Sequence, residues 1–388
     1  MDFRATAEQD AIRDAVRGLC GRFPDAYWRD LDRRSAYPEE FVRALTEAGW
    51  LAALIPSDYG GAGLGLAEAS LILEEINASG GNAASAHAQM YTMGTLLRHG
   101  SEAQKRTFLP RIAKGDLRLQ AFGVTEPEAG SETTRIRTTA ERRGDRYVVN
   151  GKKIFISRAL QSDLLLLLAR TTPYDELVDK TKGLSVFLVD LKSAVAAGRI
   201  TIRPIEMMLN HHTTELFIDG LELAATDLVG TEGMGFRHII DSWNAERILI
   251  ASESLGDGRW FVEHAAKYGS ERVVFGRPIG ANQGVQLPIA QAHAQLVAAR
   301  LLRDKAAWLF DNGEPCGAEA NMAKLLSSQA AWAAGNSAMD TYGGYAYAKE
   351  FDIERKFRET RLFLTAPVNN NLVLAYIAEH VLGLPRSY

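Results

Sequence analysis

Apolar side chains recur at helical spacing over residues 5–19, 38–50 and 66–78, as they do in helices with one buried face. Pro38 suits the first turn of the second helix and Gly49 its end. Residues 56–65 are a glycine-rich break. Ser101-Glu102-Ala103-Gln104 sets a capping serine three positions before a glutamine, which predicts another helix start. Beyond residue 118 the character changes. Residues 147–156 read as strand, Asn150-Gly151 turn, strand. Residues 164–169, 184–188, 200–205 and 214–218 are further short strands, and together they predict a small β barrel or sandwich. Long helical patterns return over 235–254, 257–268, 282–310 and 319–341, with a last helix near 371–381 after Pro367. The expected chain is α+β and multidomain: a helical domain at 1–117, a β domain at 118–230 and a helical bundle at 231–388. No internal repeat or low-complexity tract interrupts this order.

Composition narrows the function classes. The chain has 388 residues, 46% hydrophobic and 24% charged, with a formal net charge of −4, an ordinary globular balance. A weakly acidic chain is a poor partner for nucleic acid. Its two cysteines, Cys20 and Cys316, lie far apart and form no metal-ligand spacing, so no metal site is expected and a reducing, cytoplasmic setting is. Charge within the first eight residues argues against a signal peptide. The longest apolar run, residues 164–169, falls far short of the roughly 20 residues of a membrane span.

Four segments carry candidate chemistry, while neither a Rossmann fingerprint nor a P-loop occurs. Residues 122–131, with Thr125, Pro127, Gly130 and Ser131, form a loop that could turn backbone N–H groups and hydroxyls outward, or could be an ordinary surface turn. Glu246 lies in line with Ile239, Trp243 and Ile250 on one helix face. A carboxylate buried there should have a raised pKa and could serve as a general base; equally it could be a structural partner of an arginine. In the third segment Arg272 and Arg277 could clamp phosphates, and Phe275 could lie on a flat ring. In the fourth, Gly343-Gly344 is a helix cap or a place of close backbone approach to a bulky ligand. His211-His212 looks like a metal pair, but on a strand the two side chains would point to opposite faces.

Taken in order, these segments resemble the acyl-CoA dehydrogenase family over nearly the whole chain. Residues 56–63 resemble its PxxYGGxG loop, and 101–116 its GSExQKxxxLPxxAxGD stretch. Residues 122–131 are similar to the signature that lines the flavin, and Phe155-Ile156-Ser157 stands where the family has Trp-Ile-Ser/Thr. The resemblance implies an N-terminal helical domain, a middle β domain and a C-terminal four-helix bundle, a homotetramer built as a dimer of dimers, and bound FAD. It implies that Phe122, Val124, Thr125, Gly130 and Ser131 line the flavin, with Phe155, Ile156 and Ser157 along the ring. Arg272, Phe275, Gln283, Gly343 and Gly344 would reach the FAD of a neighbouring subunit; Asp340, where the family usually has Gln, Asn369 and Asn371 would also contact cofactor. Ser131, Trp243, Asn244, Arg247, Ala366 and Pro367 would border the substrate.

The sequence departs from the family in one important place. Many members carry the catalytic glutamate in a C-terminal Tyr-Glu-Gly-Thr loop, which here is Ala366-Pro367-Val368-Asn369. The isovaleryl-CoA and long-chain branches place it instead on the helix that here holds Glu246. Pro367 also removes the backbone N–H that in the family bonds the thioester carbonyl. A neighbouring donor, a shifted register or altered chemistry could each answer that loss. The resemblance implies α,β-dehydrogenation of an acyl-CoA in fatty acid metabolism, with electrons passed to an electron-transfer flavoprotein. The alternatives are a flavin oxidase or monooxygenase of the same fold, or a non-catalytic acyl-CoA-binding subunit.

Overall fold

The computed structural model describes residues 4–387. Six helices open the chain: α1 (Ala7–Cys20), α2 (Asp25–Arg34), α3 (Glu39–Glu47), α4 (Leu66–Ala78), α5 (Ala84–His99) and α6 (Glu102–Lys114). Strands β1 (Ala121–Gly123), β2 (Thr139–Arg143), β3 (Arg146–Ser157), β4 (Leu164–Arg170) and β5 (Leu184–Asp190) follow, then helix α7 (Leu191–Ala196). After them come β6 (Ile200–Pro204), β7 (Thr213–Ala224) and β8 (Leu228–Val229). The remainder is α8 (Gly235–Glu271), the hairpin β9 (Val273–Val274) and β10 (Arg277–Pro278), α9 (Gln283–Asp311), α10 (Gly317–Tyr342), α11 (Ile353–Arg361) and α12 (Asn370–Tyr376). Two compact units result: one of residues 1–41, 64–83 and 244–388, the other of residues 42–63 and 84–243. No helix among the described residues is long and apolar enough to cross a membrane.

In the second unit eight strands form one sheet, ordered β6-β7-β3-β2-β4-β5-β8 with β1 parallel to β4. All seven residues of β4 are buried, as its unbroken apolar run requires for a strand covered on both faces. Ser101 and Gln104 close a capping box at the start of α6. The Asn150-Gly151 turn does not form. β3 runs straight through it, and the hairpin turn is at Gly144-Asp145, between β2 and β3. Gly151 marks instead a shift in the β3–β7 register, where a Cβ would come within 2.3 Å of Thr138 Oγ1.

The first unit is helical apart from the β9–β10 hairpin. The sequence suggests separate helices at 235–254 and 257–268, but α8 is continuous. Its glycines mark close packing rather than a break: a Cβ on Gly256 would lie 2.4 Å from Glu74 O, and one on Gly258 2.3 Å from Leu296. Asp311 closes the start of α4, accepting from Leu66 N at 2.7 Å and Ala67 N at 2.9 Å. Inside the unit lie charges that only pairing makes tolerable. Glu74 meets Arg259, Arg300 and Arg303, while Lys356 sits between Asp257 and Glu359.

Candidate active site

The second unit presents the loop that follows β1. Phe122 is half-buried, with the Tyr91 ring 6.0 Å away. The chain then leaves the sheet, and its first turn is fastened to β3. Ile154 N donates to Thr125 O at 2.9 Å, and Lys153 Nζ to Val124 O at 3.0 Å. Glu126 accepts from Lys153 Nζ at 2.8 Å, Arg137 N at 2.5 Å and Thr138 N at 2.9 Å. Burial pushes the Lys153 ammonium down to about 8 while Glu126 pulls it back up. Burial also works against the Glu126 carboxylate, but Lys153 and the two N–H donors hold it below its ordinary value. Beyond this buried pair, Gly130 and Ser131 are exposed at the rim.

The end of β3 is irregular where the site needs it. Its register with β7 shifts between Lys153 and Ile156, and Phe155 takes a left-handed φ of 57° with 56% of its surface exposed. Ser157 follows, half-buried, and then Arg158 at φ 59°. Arg158 N donates to the carbonyl of His212, itself at φ 52°, at 2.8 Å. Bulges and non-glycine residues held left-handed concentrate at functional sites. Here they leave the Phe155 ring exposed, one residue past the bond that ties Ile154 to Thr125 and two before Ser157, as a flat ring ligand requires. The residues present therefore suit a flavin.

His211 and His212 lie in the loop before β7, not on a strand, so the alternation expected of them does not apply. His211 Nδ1 is 3.4 Å from Arg158 Nη2. Burial, then Arg158, His212 and His87, push the His211 imidazole well below its ordinary value, so the ring is neutral at pH 7.

Helix α8 carries the other group of candidates. Ile239 and Ile250 are buried on α8, Trp243 is half-buried, and Glu246 is 8% exposed, so the carboxylate does lie out of water. Arg247 Nη1 reaches Asn244 Oδ1 at 3.4 Å. Burial pushes the Arg247 guanidinium below its ordinary value; Glu246, Tyr376 and Cys316 oppose that shift. Within the loop before α12, Ala366 is half-buried, Pro367 is exposed and Asn369 caps the helix, its Oδ1 accepting from Leu372 N at 3.0 Å. Asn371 is exposed in the first turn of α12. Lys324 on α10 ties this loop down, donating to Val368 O at 2.6 Å and to Asn370 Oδ1 at 2.7 Å.

A third group is remote from Glu246. Arg272 comes twenty-six residues later, one past the end of α8, so at a rise of ~1.5 Å per residue the two are about 39 Å apart. Phe275 is fully exposed at the β9–β10 hairpin, at φ 53°. Arg272 stands over the Tyr345 ring at 5.7 Å, which brings it to the turn at Gly343 and Gly344. Gln283 and Asp340 are exposed on α9 and α10. Arg277 bonds Asn282 Oδ1 at 2.7 Å, so the two arginines do not work as an equivalent pair.

Sequence reasoning missed Lys153 and Lys324. A signal existed for the second: a lone lysine among Ala320, Ala323, Ser327, Ser328 and Ala331, the small residues of one helix stripe. Cys316 and Tyr376 gather at Arg247 only through folding, and nothing local announces them.

Comparison with known proteins extends this picture. The chain matches the family models for the acyl-CoA dehydrogenase N-terminal domain at residues 6–116, the middle domain at 121–221 and the C-terminal domain at 233–382. It is similar to the acyl-CoA dehydrogenase FadE12 of Mycobacterium tuberculosis, 34% identical over 389 residues, covering 100% of this chain and 99% of that one. It also resembles the solved complex of glutaryl-coenzyme A dehydrogenase with glutaryl-CoA, with a TM-score of 0.92, 31% identity and coverage of 100% and 98%. A structure described as PigA with FAD and proline matches at a TM-score of 0.92 and 25% identity, covering 99% of this chain and 100% of that one.

Proposed function

The chain belongs to the acyl-CoA dehydrogenase family of flavoprotein oxidoreductases, and we propose that it catalyses FAD-dependent α,β-dehydrogenation of an acyl-CoA thioester with Glu246 as the base. One observation carries this reading: Glu246 is a buried acid beside Arg247, while the loop at 366–371 contains no carboxylate. Glu246 removes the α-proton, and Arg247 holds the base by charge and its own position through Asn244. Thr125, Phe155 and Ser157 are the residues that would hold the flavin ring, two by their hydroxyls and one by its aromatic side chain. The chemistry taken from FAD, when bound, is acceptance of the β-hydride.

The test is anaerobic titration of the yellow holoprotein with a panel of straight, branched and dicarboxylic acyl-CoA thioesters. Bleaching by at least one thioester, with slow reoxidation in air and fast reoxidation by an electron-transfer flavoprotein, is expected. Rapid peroxide formation would replace the dehydrogenase by an oxidase, and absence of bleaching across the panel would leave a binding subunit.

Two features support a homotetramer in which each cofactor is shared between subunits. Arg272 and Phe275 are too far from Glu246 to complete the same site within one chain. In addition, α9 exposes Leu287, Val297, Leu301 and Trp308, large apolar side chains that a second subunit would cover.

The Lys153–Glu126 pair makes a separate prediction. Lys153→Met leaves Glu126 buried without its ammonium and frees Val124 O, so the loop at 122–131 should loosen. FAD affinity is expected to fall about tenfold, roughly 1.4 kcal/mol. Flavin fluorescence on dilution measures it, and unchanged affinity in a folded variant refutes the role given to the pair.

A further inference from the structure

The last residue of α5 meets the first turn of α8 through a pair of histidines that no step of the proposed reaction uses. The His99 and His238 rings are stacked, with centroids 4.3 Å apart and planes 26° from parallel. His238 is 9% exposed, and the Val229 carbonyl accepts from its ring. Gly230 passes so close that a Cβ there would lie 2.4 Å from His238 Cε1, which wedges the ring against His99. Asp241, three residues further along α8, brings its carboxylate to 3.4 Å from His99 Nε2. Other bonds join the same two helices. Thr95 Oγ1 and Ser242 Oγ are 3.0 Å apart, and Arg98 donates to the Asp241 carbonyl.

Charge decides what this stack tolerates. Facing it are Arg98 from α5, Lys105 from α6, and Arg237 and Asp241 from α8; Lys105 is itself paired with Glu102 at 3.5 Å. Burial pushes the His99 imidazole below its ordinary value; Asp241 opposes that, while Arg98 and Lys105 add to it. Burial also pushes His238 down, and His99 and Arg237 act with it against Asp241 and the Val229 carbonyl. One carboxylate can balance one imidazolium. A second proton would set two cations face to face at 4.3 Å, among Arg98, Lys105 and Arg237, and like charges so close resist ionisation. Once opened to water, each ring titrates near ~6.5.

We propose that the His99–His238 stack is an acid-released latch: with at most one proton it clamps the start of α8, the helix that carries Glu246, to the end of α5, and uptake of the second proton frees that turn. Below about pH 6.5 the opened state binds more protons than the closed one, so acid favours opening and neutral pH the closed stack. The latch is a property of the folded chain and does not depend on the reaction proposed above.

Hydrogen exchange of the holoenzyme, corrected for the intrinsic effect of pH, reads this opening in peptides covering residues 235–243. Between pH 7.5 and 5.5 protection there is expected to fall about tenfold, the effect of one excluded proton about one pH unit below the free value, while β4 keeps its own. His99→Phe keeps a ring in the stack but leaves one titrating group, which Asp241 can balance. Its protection should change less than about threefold over the same range, as should that of His238→Phe. Wild-type protection that does not fall, or a fall that both folded variants share, overturns the proposal. Should neither variant fold, the wild-type contrast between 235–243 and β4 decides. A loss confined to 235–243 supports the latch, and one common to both segments is general acid unfolding and overturns it. Either failure leaves the dehydrogenase reading intact.

Discussion

Glu246→Gln is expected to reduce the rate of flavin reduction by a saturating acyl-CoA by about 10³-fold or more, while the protein stays folded and yellow. A general base contributes about 10²–10⁴-fold, and a thioester α-proton has no other route off without one. Glutamine keeps the shape of the side chain and its contacts on α8, so cavity formation is not at issue. What it removes is the negative charge facing Arg247, whose guanidinium is already held below its ordinary value by burial. A modest fall in stability should therefore accompany the loss of rate, and flavin content separates the two. Glu246→Asp keeps the charge but withdraws it by one methylene, and a loss of about 10- to 100-fold is expected from misplacement. Stopped-flow absorbance measures all three proteins. If Glu246→Gln reduces its flavin at more than a tenth of the wild-type rate, the base lies elsewhere, and the arginine-partner reading of Glu246 takes its place.

The parts of this fold that could be read in the sequence are those whose cause is local. Ser101 and Gln104 announce the start of α6 because a capping box is a contact between neighbours in sequence. The apolar run at 164–169 announces a strand, and Glu246 announces its own burial by its place in a stripe. The failures have distant causes. Asn150-Gly151 has the composition of a hairpin turn, yet β3 passes through because Thr138 packs where a side chain would be. Gly256 and Gly258 look like a break, yet they admit the backbone of α4 and the side chain of Leu296. His211-His212 was expected on a strand, but β7 starts one residue later. Within the site, the family resemblance supplied residues by motif position, while Lys153 and Lys324 belong to no motif quoted for it. Both act on backbone carbonyls of another segment, a relation that no spacing along the chain expresses.

The same distinction applies to stability, where the largest expected loss comes from a residue with no assigned role in the chemistry. Glu74 on α4 is 1% exposed, and three arginines converge on it: Arg303 and Arg300 at 2.7 Å and Arg259 at 2.9 Å. Arg303 is fully buried, with a further bond to Ser252 Oγ at 2.7 Å. Glu74→Gln leaves that guanidinium out of water with its main counter-charge gone, and breaking a buried pair from one side costs about 3–5 kcal/mol. A clear fall in the urea midpoint at pH 7 is expected. The double variant Glu74→Leu with Arg303→Leu should regain much of it, because a matched apolar pair leaves no charge buried alone. Acid should narrow the gap. Burial raises the Glu74 pKa, but Arg303, Arg300 and Arg259 outweigh it and hold the carboxyl at about 2. Unfolded, the same group titrates near ~4.3. Its stabilisation is therefore complete above about pH 4.3 and is lost as pH falls towards 2, so the difference between wild type and Glu74→Gln should shrink over that window and stay constant between pH 5 and 8. Midpoints measured for both proteins at pH 7, 5, 4 and 3 decide it. A gap that is small at pH 7, or one that does not close in acid, would mean that the cluster is solvated like a surface ion pair and does not hold α4 to α8 and α9.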